Sequence, residues 1–229
     1  MTGWELRHTV ASGIRFERSD AARRALNFAV AGIGLLLATP LMCVIALLVK
    51  LTSRGPVLYT QTRVGVDRRT VRDGPSNHRR TDDQGGKPFT IYKFRTMYAA
   101  EQRGAPEVWA TSDDPRVTPV GRVLRKYRLD ELPQFLNVLR GDMNVVGPRP
   151  EQPKIFARLR DEVPGYQARQ QVPPGITGWA QVNQRYDTSI DDVRRKVSFD
   201  LEYVARRSVL EDIRILARTV PVVLNKGGW

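Results

Sequence analysis

The sequence predicts an α/β domain of the α+β kind, small and mostly helical, with one short β-hairpin and a long apolar helix ahead of it. Three observations lead there. Phe28 to Val49 is an apolar run without a single charge, bordered by Arg18, Arg23 and Arg24 on one side and by Lys50 and Arg54 on the other. Two segments rich in β-branched and aromatic residues, 57–64 (VLYTQTRV) and 89–96 (FTIYKFRT), read as strands. Near the end, Ser189-Ile190-Asp191-Asp192 and Ser208-Val209-Leu210-Glu211 are both helix starts, in which a serine and an acid three residues on cap the first turn reciprocally. Of the 229 residues, those outside the apolar run suffice for roughly one domain with a core of its own.

As a helix, Phe28 to Val49 would extend about 33 Å, enough to cross a hydrocarbon core of ~30 Å, so the chain is expected at a membrane. Thr39-Pro40 stands in the middle of the run. Pro40 lacks an N–H and its ring clashes with the carbonyl of Leu36. A kink or break is expected there, with the Thr39 hydroxyl able to satisfy a carbonyl that the proline frees. Basic residues favour the cytoplasmic side, and here they stand at both ends. Two topologies fit: a re-entrant helix that bends at Thr39-Pro40 and leaves by the face it entered, and a spanning helix with a proline kink. A cleaved signal peptide fits poorly, since the run is too long and no small-residue cleavage site follows it.

Residues 1–26 form a polar, basic lead, and 27–51 the apolar segment. Between the two strands, Asp67 to Lys87 is long for a hairpin loop and reads as a polar insertion. Along the second strand Tyr92 and Phe94 share one face, Lys93 and Arg95 the other. Two neighbouring cations suit a phosphate, and they equally suit a solvated face. From Val120 the pattern becomes helical and basic, and Arg116, Arg122, Arg125, Lys126 and Arg128 come with no acid among them. Leu129-Asp130-Glu131-Leu132-Pro133 then leads into an apolar helix, Phe135 to Leu139, closed by Gly141. After an extended piece, Asn144 to Val146, the segment Gly147-Pro148-Arg149-Pro150 is stiff, because its prolines fix φ and hold Arg149 in a set direction. Pro173-Pro174-Gly175 precedes 176–183 (ITGWAQVN). The first closing helix repeats apolar residues at Ile190, Val193, Val197, Leu201 and Val204, the second at Leu210, Ile213, Leu216, Ala217 and Val220. The second stripe either packs on the core or, with Arg214 and Arg218 beside it, lies on a membrane.

Composition narrows the partners. The 37 Lys and Arg against 24 Asp and Glu give +13, which calls for an anion: acidic lipid headgroups, a phosphorylated substrate or nucleic acid. The apolar anchor puts the first two ahead, and no recognised nucleic-acid motif is present. Cys43 is the sole cysteine, so no disulfide framework exists and a reducing compartment is compatible. His8 and His78 are isolated, which excludes a His/Cys zinc site. There is no P-loop, no G-x-G-x-x-G and no internal repeat.

The sharpest constellation is Asp130-Glu131 downstream of five cations. At a helix start, backbone N–H groups and the dipole favour negative charge, so the pair reads first as a cap. Held ionised there, a carboxylate can also serve as a nucleophile or a Mg²⁺ ligand. Phosphoryl transfer combines those roles with Arg and Lys on the non-bridging oxygens.

Three motifs occur in order behind the Pro-broken apolar helix: Lys93-Phe94-Arg95-Thr96-Met97, Leu129-Asp130-Glu131-Leu132-Pro133-Gln134, and Gly141-Asp142-Met143-Asn144-Val145-Val146-Gly147-Pro148-Arg149-Pro150. With Pro174-Gly175-Ile176-Thr177-Gly178-Trp179 they make the chain resemble the bacterial sugar transferases, the monotopic phosphoglycosyl transferases that prime surface-glycan synthesis, from about Arg24 to Val223. The lead and the 67–87 insertion fall outside the resemblance. Larger relatives carry further membrane helices and an extra domain before this core, so the catalytic unit alone is expected here, over 52–229.

The resemblance implies a two-step exchange on the cytoplasmic face of the bacterial inner membrane. Asp130 would attack the β-phosphate of a UDP-sugar and expel UMP, and polyprenyl (undecaprenyl) phosphate would then take the phosphosugar. The pair Asp130 and Glu131 would bind Mg²⁺, with Glu131 as metal ligand or acid/base. Arg125 matches a family arginine near the site; Arg149, with Pro148, matches the proline-rich phosphate-binding segment. Lys93 and Arg95 are further candidates, with a structural role as their alternative. Thr39-Pro40 stands where the family has Ser-Pro at the bend of a re-entrant helix, and a re-entrant anchor lets a soluble donor and a lipid acceptor meet at one interface. Anionic lipids are expected partners and nucleic acid is not; the oligomeric state stays open, with a homodimer as one candidate. A glucose or galactose donor is expected, with N-acetylated sugars open. The competing functions are a membrane-anchored Mg²⁺-dependent phosphohydrolase and a non-catalytic basic membrane adaptor.

Overall fold

A computed structural model describes residues 18–67, 85–98, 114–184 and 189–224. Most of the polar lead and most of the 67–87 insertion lie outside these residues. Helix α1 spans Arg18–Thr52. It begins earlier than the apolar run because its first turns are polar on the inside: Arg23 and Asn27 are buried there. The Arg23 guanidinium donates to the Asp212 carboxylate at 3.0 Å and to the Tyr203 hydroxyl at 2.7 Å. Asn27 donates to the Arg23 carbonyl and accepts the Val145 N–H. A polar clasp thus ties the start of the apolar helix to the domain.

Thr39-Pro40 is not a break in secondary structure, for the helix continues through it to Thr52. A proline removes one N–H, and the ladder resumes one turn on. The Thr39 hydroxyl does donate to a carbonyl, that of Leu35 at 2.7 Å rather than that of Leu36. The helix is long and apolar enough to cross a membrane. Its large side chains point away from the protein: Leu36 and Leu37 are each 74% exposed, with Ile33, Val44, Leu47 and Leu51 also outward. Only Ala31, Ile45 and Val49 of its apolar residues are buried against the domain.

Strands β1 (Leu58–Val64) and β2 (Pro88–Phe94) pair antiparallel, with Leu58 opposite Phe94 and Val64 opposite Pro88. Helix α2 (Pro119–Lys126) starts at Thr118, whose side chain accepts the Gly121 N–H. The first residues of α2 press so closely on β2's exit that a Cβ at Gly121 would lie 2.1 Å from the Thr96 carbonyl oxygen. A 3₁₀ turn (Leu129–Glu131) follows, then α3 (Gln134–Arg140), closed by Gly141 at φ 82° as its position after the apolar run predicted. Strands β3 (Asn144–Val146) and β4 (Gly175–Thr177) pair in parallel. Between them come α4 (Pro153–Glu162) and a second 3₁₀ segment (Tyr166–Gln171). Helices α5 (Trp179–Asn183), α6 (Ile190–Arg206) and α7 (Val209–Leu224) complete the described residues. Both expected serine caps are present: Ser189 and Asp192 form the full reciprocal box, and Ser208 accepts the Glu211 N–H at 3.1 Å.

Packing follows the predicted stripes in all but one element. One core joins Val64 with Phe156 and Leu159 of α4 and with Val193 and Val197 of α6. A second joins Ala31 of α1 with Phe89, Ile91, Val138, Met143 and Val145. Helix α7 turns most of its apolar stripe outward, against the core-packing alternative and leaving the membrane-facing one open, while Leu216 packs on the core. Leu210, Ile213 and Val220 are exposed, while Asp212 and Ile215 are buried. The reason is that its inner face is held by polar partners, Asp212 by Arg23 and Tyr203, and Thr219 by Thr177.

Helix α3 lies directly on α1, where a Cβ at Gly34 would stand 2.9 Å from the Phe135 ring. We predict that Gly34→Leu, which forces these helices apart, lowers stability by about 1–3 kcal/mol. Gly32→Leu, where nothing lies within 4 Å, leaves the melting temperature unchanged. Thermal unfolding of the two purified variants in the same detergent checks the contrast.

Candidate active site

Asp130 and Glu131 stand just ahead of α3, near a helix start as read, and they do so in a 3₁₀ turn between α2 and α3. The turn is set by Arg128, which takes the left-handed conformation at φ 55°, a conformation a non-glycine residue holds only when its surroundings fix it. This reversal brings both carboxylates, 8% and 7% exposed, back beneath β2.

There the two acids meet different surroundings. The Oε1 atom of Glu131 accepts Lys93 Nζ at 2.7 Å and Arg149 Nη2 at 2.8 Å. Burial alone would raise its pKa, but Arg149 and Lys93 outweigh burial and hold it well below the usual carboxylate range. Asp130 receives no hydrogen bond from any side chain among the described residues. Burial pushes it up to about 6, Lys93 pulls against this, and the charge of Glu131 adds to it. Asp130 thus stays mostly ionised at neutral pH, as expected of a carboxylate at a helix start, while burial raises it above the usual carboxylate range. The strong cations point at its neighbour.

The predicted cations separate into two groups. Lys93 reaches the pair, as does Arg149, extended from the stiff Gly147–Pro150 strip. Pro148 is buried in that strip and its carbonyl accepts the Gly175 N–H at 2.9 Å. Arg125, in the last turn of α2, donates to the Thr96 hydroxyl at 3.0 Å and lends its charge to Asp130. Arg95 belongs elsewhere. It is fully buried and donates to the carbonyls of Pro56 and Ser53 and to the Ser53 hydroxyl, locking the exit of α1 onto the hairpin. Its assignment as a phosphate ligand is replaced by this structural one, because β2 ends at Phe94 and the side chain turns inward. Arg116 is occupied by Asp114 at 2.6 Å, and Arg122 faces outward.

Two further residues shape the site without having stood out in the sequence. Asn137 on α3 is fully buried, accepts the Tyr92 N–H at 3.1 Å and donates to the Thr90 carbonyl at 2.7 Å. It stitches the acid-bearing segment to β2 and so sets Lys93 against Glu131. Arg63 on β1 donates to the Pro150 carbonyl at 3.1 Å and lies within the electrostatic field of Arg149 and Glu131. An α-helical Asn followed by Val reads as surface or core by pattern alone; only its spacing from the acidic pair hints at a pinning role.

A divalent cation can be tested against these donors. Among the described residues no group of three or more His, Cys, Asp or Glu could hold a metal. Mg²⁺ needs fewer, since it takes one or two carboxylates and fills its other positions with water and substrate phosphate. Asp130, with no side-chain hydrogen bond among the described residues, together with the neighbouring carboxylate of Glu131, suits that requirement.

The family model described as "Bacterial sugar transferase" matches residues 18–226. The "UDP-glucose:undecaprenyl-phosphate glucose-1-phosphate transferase" of Escherichia coli (strain K12) is 44% identical over 200 residues, covering 86% of this chain and 39% of the relative. The "UDP-N-acetylgalactosamine-undecaprenyl-phosphate N-acetylgalactosaminephosphotransferase" of Aeromonas hydrophila is 42% identical, covering 90% and 44%. The "UDP-glucose:undecaprenyl-phosphate glucose-1-phosphate transferase" of Caulobacter vibrioides (strain ATCC 19089 / CIP 103742 / CB 15) is 39% identical, covering 90% and 71%. The chain thus spans less than half the length of the first two.

The raised pKa of Asp130 carries a sign that stability can report. An ionised Asp130 destabilises the fold above about pH 6, and this penalty fades as pH falls towards the unfolded value of 3.8. Asp130→Asn is expected to stabilise the protein by up to roughly 3 kcal/mol at pH 8 and by nothing below pH ~3.8. Denaturation of the wild type and the variant across that range measures the difference.

Proposed function

We propose, on the premise that this chain belongs to the bacterial sugar transferase family, that it transfers a sugar-1-phosphate from a UDP-sugar to polyprenyl (undecaprenyl) phosphate. The products are UMP and a polyprenyl-diphosphate-sugar, the primer of a surface glycan. The observation that carries this reading is the divided pair: Glu131 held ionised by two cations, Asp130 beside it buried, raised and without a side-chain hydrogen bond among the described residues.

That arrangement suits covalent catalysis. At neutral pH a carboxyl group titrating near 6 is mostly ionised, yet it is poorly solvated and therefore more nucleophilic than one in water. An Asp130 oxygen attacks the β-phosphorus of the donor, and the bond from that phosphorus to the α–β bridging oxygen breaks. UMP departs with the electron pair, leaving the sugar-phosphate on Asp130. A phosphate oxygen of the polyprenyl phosphate then attacks the same phosphorus and returns Asp130 as carboxylate. Arg149 and Lys93, already fixed on Glu131, present cationic donors where negative charge develops on the non-bridging oxygens. Arg125 supports the charge of Asp130 between the two steps. Mg²⁺, when held by Asp130 and Glu131 with the substrate phosphates, would supply further neutralisation of that charge.

The lipid acceptor fits the outward apolar surface. The exposed leucines of α1, and the exposed stripe of α7 flanked by Arg214 and Arg218, each suit an acyl boundary beside anionic headgroups. We read α1 as re-entrant, bent rather than broken at Thr39-Pro40, with the domain on the cytoplasmic face of the bacterial inner membrane. The relatives named above divide between glucose and N-acetylgalactosamine at nearly equal identity, so resemblance does not select the sugar.

The test is an assay of the full chain in membranes supplied with polyprenyl phosphate and a panel of labelled UDP-glucose, UDP-galactose, UDP-N-acetylglucosamine and UDP-N-acetylgalactosamine. With one or more of these donors, label is expected to enter the organic phase with one UMP released per lipid product. Asp130→Asn is expected to lose about a thousandfold or more. Sustained UMP release without the lipid phosphate would make the protein a phosphohydrolase instead.

A further inference from the structure

Next to the site lies a second set of buried charges for which the proposed reaction has no use. Arg169, in the 3₁₀ segment Tyr166–Gln171, is fully buried, and Asp200 on α6 is 1% exposed. The guanidinium and the carboxylate meet through Nε at 2.9 Å and through Nη2 at 2.7 Å. Taking two charges out of water costs several kcal/mol per ion, and apolar residues of similar volume often do as well for stability. Such a pair is best understood by what else it holds.

Arg169 Nη2 also donates to the main-chain carbonyl of Arg149, at 3.0 Å. The next two carbonyls along the strip are held as well. Arg63 donates to that of Pro150 at 3.1 Å, and the Val64 N–H to that of Glu151 at 2.9 Å. The Glu151 side chain closes the cluster, binding Lys196 at 2.7 Å and standing 3.9 Å from Arg169. Three successive carbonyls are thus gripped from outside, two of them by arginines. From this fixed backbone only the Arg149 side chain reaches across to Glu131.

We propose that Arg169, clamped by Asp200, is a positioning residue for the donor's diphosphate. It fixes the main chain at Arg149, so that the Arg149 guanidinium meets the phosphate oxygens in one geometry. The inference rests on Arg149 being a phosphate-binding residue, as read above. It assigns a share of substrate affinity to a buried pair that acts through the main chain of Arg149.

Calorimetry with UDP and MgCl₂ on the full chain in lipid nanodiscs tests it through a double-mutant cycle. Arg149→Ala is expected to weaken UDP about tenfold, Arg169→Lys by about the same factor, and the double variant no further than either. Val197→Ala, a core truncation on α6, lowers the melting temperature and leaves UDP affinity unchanged, which separates positioning from general loosening. If Arg149→Ala binds UDP like the wild type, the reading of Arg149 is wrong and the positioning claim goes with it. If Arg149→Ala is weakened while Arg169→Lys is not, or if their losses add, the positioning claim alone is overturned. Should Arg169→Lys not fold, Arg169→Met combined with Asp200→Leu removes both charges together and must show the same loss. Unchanged affinity in that pair, or its failure to fold, would mark the cluster as a stability element only.

Discussion

One carboxylate oxygen organises the site. Oε1 of Glu131 accepts Lys93 from β2 and Arg149 from the proline strip, and each of those cations comes from a different part of the chain. Burying Glu131 alone would be costly, and so would burying either cation; together they offset one another's desolvation. The consequence for Asp130 follows from adjacency. Its neighbour holds the donors, so Asp130 is buried next to a fixed negative charge and is driven up to about 6. The difference between two consecutive acids is created by where two cations point.

The apolar helix is part of this construction. Helix α1 contributes Ala31 to the core that holds α3 and β3, and its Asn27 carboxamide caps the Val145 N–H at the start of the strand leading to Arg149. At its other end Arg95 locks the last turn to the hairpin that carries Lys93. The outer face of the helix is left apolar and exposed. A single element therefore presents leucines outward and braces the site inward.

Much of the fold was legible because its signals are local. The hairpin strands, the Gly141 stop and the serine at each closing helix depend on residues adjacent in sequence, and the structure places them close to where they were read, with β2 ending two residues early. What was not legible depends on partners far away in sequence. The pattern of α7 left two placements open, and what decides against core packing for most of its stripe is distant in sequence: Asp212 and Thr219 fill the inner face by finding Arg23 and Thr177. Arg95 looked like Lys93's companion until the strand ended one residue before it. The 3₁₀ turn at Asp130 required the left-handed Arg128, which pattern alone does not announce. Asn137 and Arg169 act through the main chain of distant segments, and such contacts leave no periodicity to read.

The central claim is that Asp130, and not its better-partnered neighbour, bonds to phosphorus. The most direct measurement is peptide mass mapping of the wild-type chain quenched after exposure to its UDP-sugar alone, with no lipid acceptor present. The account requires a sugar-phosphate mass increment on the peptide containing Asp130, at no more than one per chain and matched by UMP released, that disappears when polyprenyl phosphate is added. An increment on another residue, or lipid product forming at full rate while that peptide stays unmodified, would contradict it.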